Sequence, residues 1–303
     1  MSKAGSCTII GGGLIATAGA LALEELGSNV TVVTRAPPPL GGDSIEWTYG
    51  DVASQAAVHA VERAESVIYA AGTLGPATKL ETVHSGISDE IVPVLKLAEQ
   101  AAGSGCKTFV FISSGGTVYG PNVPLPTHED VRTAPINIYG TIKVLTELAL
   151  LEVGRKYGIS IVILRVSNPY GPGQSGTRRM GFIAAAAKAA MAGEPIVIWG
   201  DGSTTRDFIF IDDVGRALAL AAGYRGNSVI LNIGSGEGHS LLQICKIVSS
   251  NSPRPLNVQF DSGRAFDVPK NYLDISRAAQ VLGWRPQVAL NDGIALLMKR
   301  GGI

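Results

Sequence analysis

Residues 7–26 read CTIIGGGLIATAGALALEEL: four apolar-leaning residues, three glycines, then a long stretch rich in alanine and leucine. Cys7–Ile10 suits a buried strand and Ile15–Leu26 a helix. Between them, Gly11-x-Gly13-x-x-Ala16 has the spacing of a dinucleotide-binding turn. The first glycine permits the bend, the second lets backbone approach a pyrophosphate, and the small third residue lets helix and strand pack closely. The helix start then offers free N–H groups and the positive end of its dipole to phosphates. Three glycines alone would equally fit a structural turn; the strand–turn–helix order favours the dinucleotide. Lys3 ahead of an apolar stretch imitates a signal peptide, but Gly11-Gly12-Gly13 would break its helix.

Outward from this unit the pattern continues. Strands are predicted at Asn29–Thr34, Ile45–Tyr49, Val67–Ala70, Thr108–Ser113 and Ser160–Val166, with helices at Ile91–Ala102 and from Tyr139 to Lys156. Apolar strands joined by helical crossovers predict an α/β fold, a doubly wound parallel sheet covered on both faces. The second half is less regular, with a helix at Phe182–Ala192, strands at Ile196–Trp199 and Phe208–Ile211, and scattered prolines. Lys plus Arg and Asp plus Glu both number 25, which argues against nucleic-acid or membrane-surface binding. A hydrophobic share of 46% against 17% charged excludes wholesale disorder. Cys7, Cys106 and Cys245 form no CxxC pair, so a reducing, cytoplasmic setting is expected rather than a disulfide framework. No uninterrupted apolar run is long enough to span a bilayer.

Several residues carry chemistry. The end of the second predicted strand holds Thr34-Arg35, where an acid would read a ribose 2′-hydroxyl and an arginine suits a 2′-phosphate. Arg35 therefore points to NADP or is a solvated surface residue. Asp51 is a candidate partner of the adenine amino group or a loop cap. Tyr139 and Lys143 lie four apart on one helix face. An ammonium beside a phenol lowers its pKa, so the tyrosine can exchange a proton with a sugar hydroxyl. Upstream, Ser113-Ser114-Gly115-Gly116-Thr117-Val118-Tyr119-Gly120 puts hydroxyls at a strand's carboxyl end, where such sheets bind ligands. His59, His84, His128 and His239 have no ligand spacing, so no metal is expected.

With these motifs in order, joined by Leu164-Arg165-Val166-Ser167-Asn168-Pro169-Tyr170-Gly171-Pro172-Gly173, Gly200-Asp201-Gly202, Arg206-Asp207-Phe208 and Leu282-Gly283-Trp284-x-Pro286, the chain resembles the extended short-chain dehydrogenase/reductases, in their nucleotide-sugar epimerase/dehydratase group. The resemblance implies an NAD(P)-binding Rossmann domain over 1–166 with about 205–222, and a smaller nucleotide-sugar-binding lobe over 167–204 and 223–303. It makes Tyr139 the acid/base and Lys143 its orienting cation. The hydroxyl role falls to Ser114, with Thr117 behind it, although many relatives carry that Ser or Thr in the place of Gly115. Gly11, Gly13, Leu14, Ile15, Arg35, Asp51, Val52, Ala70, Ala71 and Gly72 would hold the cofactor together with Tyr139 and Lys143. Asn168, Arg206, Arg264, Phe182 and Tyr272 would hold the substrate, with the two arginines on its phosphates. Glu147 and Glu152 read as solvated or at a subunit contact, and pairing of the Tyr139 helices into a homodimer is expected.

Two departures stand out: Ile10 and Ala16 replace glycines of the longer epimerase-type turn, and Arg35 replaces the usual acid. The Asp-Glu pair that sugar dehydratases place near Gly115-Gly116-Thr117 is absent, as is the extra glutamate of decarboxylases. The resemblance thus implies a nucleotide-sugar 4-epimerase with NAD, in a setting such as polysaccharide biosynthesis. The alternatives are an NADPH-dependent 4-ketosugar reductase and, less favoured because Tyr139 and Lys143 are both present, a non-catalytic dinucleotide sensor or scaffold.

Overall fold

In a computed structural model, the structure describes residues 5–36, 42–75, 83–174, 180–262 and 268–299. The first half runs β1 (Cys7–Ile10), α1 (Leu14–Glu25), β2 (Val30–Thr34), β3 (Glu46–Tyr49), α2 (Gln55–Glu62), β4 (Ser66–Tyr69) and α3 (Val83–Gly86). A π-helical turn at Ile87–Ile91 leads into α4 (Val92–Gly103), then β5 (Thr108–Ser114), α5 (Ile138–Tyr157) and β6 (Ser160–Val166). The second half adds β7 (Asn168–Tyr170), α6 (Phe182–Ala192), β8 (Pro195–Trp199), β9 (Thr205–Arg206), β10 (Phe208–Phe210), α7 (Ile211–Ala222) and β11 (Val229–Ile233). It ends with β12 (His239–Ser240), α8 (Leu241–Ser250), β13 (Asn257–Asp261), β14 (Lys270–Asn271), α9 (Ser276–Leu282) and α10 (Leu290–Lys299).

Seven of these strands form one sheet in the order β11-β6-β5-β4-β1-β2-β3, and all its pairings are parallel. The inner strands β1, β4 and β6 are buried along their whole length, which explains their unbroken apolar runs. Alternate residues feed two cores. Ile9, Val32, Ile68, Val110 and Leu164 pack with α1 and α7, whereas Ile10, Val33, Tyr69, Phe111 and Ile163 pack with α2, α4 and α5. Each fully buried Ile or Val contributes about 1.5–3 kcal/mol against leaving it in water. Helices α1 and α7 touch closely because a Cβ on Gly215 would lie 2.5 Å from the Ala18 carbonyl oxygen. The strand order reverses between β1 and β4, so a crevice opens above their carboxyl ends.

The remaining strands form small sheets, β7 with β10, β8 with β13, and β12-β9-β14. With α6, α8 and α10 they surround a third core that includes Ile183, Ile198, Phe210, Ile244 and Leu297. One strand departs from the expected division. Val229–Ile233, grouped by the sequence with the smaller lobe, pairs with β6 at the edge of the large sheet. The nearby Ala278 and Trp284 join the first core, and the Trp284 indole N–H donates to the Asp213 carbonyl at 3.0 Å.

Asp207 ties the two parts together. Its fully buried carboxylate accepts the Ser167 hydroxyl, the Ser235 N–H and hydroxyl, and the N–H groups of Gly236 and Leu273. Three segments far apart in sequence are thereby fixed beside the crevice.

Candidate active site

The glycine turn fits a dinucleotide. Gly11 has φ of +118°, a conformation L side chains rarely adopt, and its N–H donates to the Val33 carbonyl at 2.9 Å. A Cβ there would stand 2.8 Å from the Ala71 nitrogen, so the turn presses directly on the chain leaving β4. At Gly13, the N-cap of α1, a Cβ would meet nothing within 4 Å, and no side chain caps the helix. Its first N–H groups and open space at Gly13 are what a pyrophosphate requires. Leu14 and Ile15 are half-buried behind the turn and pack on the first core. Ala70 packs on that core too, Val52 and Ala71 pack on the second, and Gly72 is exposed. Arg35 and Asp51, at the carboxyl ends of β2 and β3, form an exposed ion pair at 3.8 Å. Such a pair contributes little to stability, so both side chains are available to a ligand at modest cost.

Tyr139 and Lys143 stand on the first turns of α5, which is capped by Asn137, whose side chain accepts the Gly140 N–H at 2.8 Å. The Lys143 ammonium donates to the Ile112 carbonyl at 2.8 Å. It lies 4.7 Å from the Phe111 ring centroid and 5.7 Å from that of Tyr139. Both residues line a narrow cavity with Tyr69, Ala71, Leu74, Glu90, Phe111, Ile142 and Thr146. Burial lowers the Lys143 pKa to about 8, against the opposing pull of Glu90 and Glu147. The folded value is depressed below the ordinary 10.5, so the unfolded chain binds more protons between these values and stability rises with pH from about 8 to 10.5. Lys143→Met is therefore expected to stabilise the protein at pH 7 by on the order of 2 kcal/mol while abolishing activity. Urea unfolding at pH 7 and at pH 10.5 checks this, and a gain that does not shrink at the higher pH would refute it.

The serine-rich segment divides its hydroxyls. Ser113 donates to Glu147 in a buried bond. Ser114, at the end of β5, is half-buried. The Thr117 hydroxyl is buried and has no hydrogen-bond partner among the described residues. Its carbonyl oxygen would lie 2.6 Å from a Cβ on Gly140, so Thr117 abuts the turn that carries Tyr139. A Cβ on Gly115 would come within 2.5 Å of Leu273 Cδ1, so Leu273 occupies the space a hydroxyl side chain would need.

Asn168 donates its side-chain N–H to the Asp207 carbonyl at 2.8 Å. Arg206 donates to the Thr205 carbonyl at 2.9 Å and to the Val268 carbonyl at 2.7 Å. The Tyr272 ring reaches the same small sheet, because a Cβ on Gly238 would meet both it and the Thr205 side chain within 2.8 Å. Phe182 opens α6 and packs on the third core. Arg264 lies outside the described residues.

Glu147 corrects the sequence reading. It is 1% exposed and forms a buried ion pair with Arg165 at 2.6 Å, rather than facing solvent or a subunit. Glu152 is exposed and pairs with Arg155. Glu90 carries no signal in the sequence, where the helix begins at Ile91 and the π turn before it leaves no periodicity. Among the described residues no three His, Cys, Asp or Glu side chains gather as a metal site, and no helix is long and apolar enough to cross a membrane.

Known proteins resemble this chain in sequence and in fold. The chain is 32% identical over 255 residues to a UDP-glucose 4-epimerase of Mycolicibacterium smegmatis, covering 84% of this chain and 82% of that one. It is also 32% identical over 235 residues to a dTDP-4-dehydro-6-deoxyglucose reductase of Escherichia coli, covering 78% and 74%. Among solved structures, a UDP-glucose 4-epimerase of Thermotoga maritima with UDP-glucose superposes with a TM-score of 0.89 at 30% identity, covering 97% of each chain. MoeE5 in complex with UDP-glucuronic acid and NAD superposes with a TM-score of 0.87 at 29% identity, covering 98% of this chain and 99% of that one. The sequence profile of the NAD dependent epimerase/dehydratase family matches residues 7–234, and the chain belongs to that family.

Proposed function

We propose that this protein is an NAD-dependent nucleotide-sugar 4-epimerase acting on a UDP-sugar. The observation that carries the reading is the half-buried Lys143 ammonium 5.7 Å from the Tyr139 ring, in a cavity lined also by Ala71, against whose backbone the Gly11 turn packs. Relatives named as UDP-glucose 4-epimerases support the substrate class.

Gly11, Gly13 and the start of α1 would hold the cofactor pyrophosphate, with Leu14, Ile15, Val52 and the chain from Ala70 to Gly72 around it. When bound, NAD supplies the hydride acceptor and donor at the sugar C4. Tyr139, as phenolate, takes the proton of the C4 hydroxyl and later returns it. Lys143 favours that phenolate by its charge. Thr117, with its unpartnered buried hydroxyl, and Ser114 would bond the reacting oxygen. Asn168, Arg206, Phe182, Tyr272 and Arg264 would hold the nucleoside diphosphate while the ketosugar turns over. We assign the seven-stranded sheet with its helices to the cofactor, β11 included, and the small sheets with α6, α8 and α10 to the substrate.

Leu145 and Leu148 on α5 and Val92 on α4 are exposed apolar residues, which supports a homodimer formed through these helices. Three buried, unpaired cysteines support a cytoplasmic setting. A second reading, an NADPH-dependent 4-ketosugar reductase, is favoured by Arg35 and by the reductase relative.

One experiment separates the two. Protein purified without added cofactor is denatured, and the released nucleotide is identified by mass spectrometry. Stoichiometric NAD+ is expected, together with C4 inversion of UDP-glucose or UDP-glucuronic acid followed by NMR. An empty site that binds NADPH far more tightly than NADH would overturn the epimerase and give Arg35 the 2′-phosphate.

A further inference from the structure

The roles above leave one carboxylate in the cavity unused. Glu90 lines it with Tyr69, Phe111, Tyr139 and Lys143. It belongs to the π turn Ile87–Ile91, where the extra residue per turn rotates side chains relative to an α-helix. Ser88 and Asp89 are exposed, whereas Glu90 is half-buried and turned inward. Its Oε1 accepts the Thr73 N–H at 2.6 Å, the Leu74 N–H at 3.2 Å and the Thr73 hydroxyl. A Cβ on Gly72 would lie 3.3 Å from Oε2, so the carboxylate sits close against the backbone leaving β4.

The titratable groups around the Lys143 ammonium are Glu90 from the π turn, Tyr69 from β4, and Glu147 and Tyr139 from α5 itself. Glu147 is already paired with Arg165 and bonded by Ser113, whereas the bonds to Glu90 come from neutral donors. A carboxylate whose partners are neutral keeps its full charge for the nearest cation.

We propose that Glu90 is a positioning residue of this site, one that anchors the chain leaving β4 and supplies the negative charge balancing the Lys143 ammonium beside Tyr139. This rests on the reading of Tyr139 and Lys143 as the reacting pair. Consistent with it, Glu90 is the larger of the two carboxylate influences that resist the downward effect of burial on Lys143. Through Lys143, Glu90 would set the pH range in which Tyr139 works.

The test titrates Lys143 in the full chain with whatever cofactor it retains. Lysine is labelled with 13C, the ε-carbon resonance is followed against pH, and Lys143→Arg assigns it. Glu90→Gln keeps an oxygen for the Thr73 and Leu74 N–H groups and removes only the charge. It is expected to move the Lys143 midpoint down by about one pH unit. Glu90→Asp keeps the charge and should fall between the parent and Glu90→Gln. The alkaline limb of the kcat profile of Glu90→Gln should move the same way, with KM little changed. A Lys143 midpoint unmoved in a folded Glu90→Gln overturns the proposal, as does an equal displacement in the Asp and Gln variants. If Glu90→Gln does not fold, Thr73→Val removes one donor and retains the charge. A parent-like midpoint then supports the proposal, and a fall of about one unit overturns it. A displaced midpoint in a protein without epimerase activity would sink the proposed reaction and leave the role of Glu90 standing.

Discussion

Tyr139→Phe is expected to fold like the parent and to epimerise UDP-sugars at least about a hundredfold more slowly, in the range that general acid–base groups supply. The substitution removes one oxygen from a half-buried ring and leaves Lys143, Phe111 and the glycine turn in place. Retention of the thermal midpoint and of bound nucleotide, alongside the loss of kcat, would identify Tyr139 as the proton-exchanging group. A variant within a few-fold of the parent would mean that another group moves the proton, and the proposed reaction would fail with it.

Arg165→Met is expected to be the most destabilising single change, by about 3–5 kcal/mol in urea unfolding, because it strands a buried carboxylate. Arg165 is 4% exposed and donates to both oxygens of Glu147, to the Tyr119 hydroxyl at 3.0 Å and to the Glu129 carbonyl at 3.4 Å. Its guanidinium also lies 4.9 Å from the Tyr119 ring centroid. Glu147 stands one turn beyond Lys143, so the pair fixes the rotation of α5 against β5 and β6. The double variant Arg165→Met with Glu147→Leu removes both charges and should recover more than half of the loss. If it is as unstable as the sum of the single variants, the ion pair is not what the core depends on.

The parts of the fold legible in the sequence are those set by neighbours along the chain. The β1–turn–α1 unit declares itself through apolar runs around three glycines. Strand β6 and helix α6 fall where their patterns place them, at Ser160–Val166 and Phe182–Ala192. Tyr139 and Lys143 were legible as a pair because four residues on a helix bring two side chains to one face. What escaped depends on distant partners. Glu147 looks like any solvated helix glutamate until Arg165 arrives from the next strand. Strand β11 is a short run between glycine- and serine-rich turns, and only its pairing with β6 makes it part of the main sheet. Glu90 sits where an extra residue breaks the helical repeat, so periodicity has nothing to report there. The short helix α2 is likewise silent in the sequence pattern, although Ser54 caps it by accepting the Ala57 N–H. Asp207 was visible within a motif, yet its five buried bonds come from segments before and after it in the chain.

Strand β11 also dictates a sequence of events at the ribosome. The glycine turn, the Tyr139 helix and six of the seven strands are synthesised by Val166, but the outer flank of β6 gains its partner only when Val229–Ile233 emerges. The helix α7, which covers one face of the early strands, comes only just before it. For more than sixty residues of elongation the nascent chain therefore carries most of its strands on a sheet whose long, largely apolar β6 lies bare at one edge and whose α1 face still lacks α7. Such an edge is a template for pairing with other chains, so this interval, rather than the finished enzyme, is where chaperones have the most to protect.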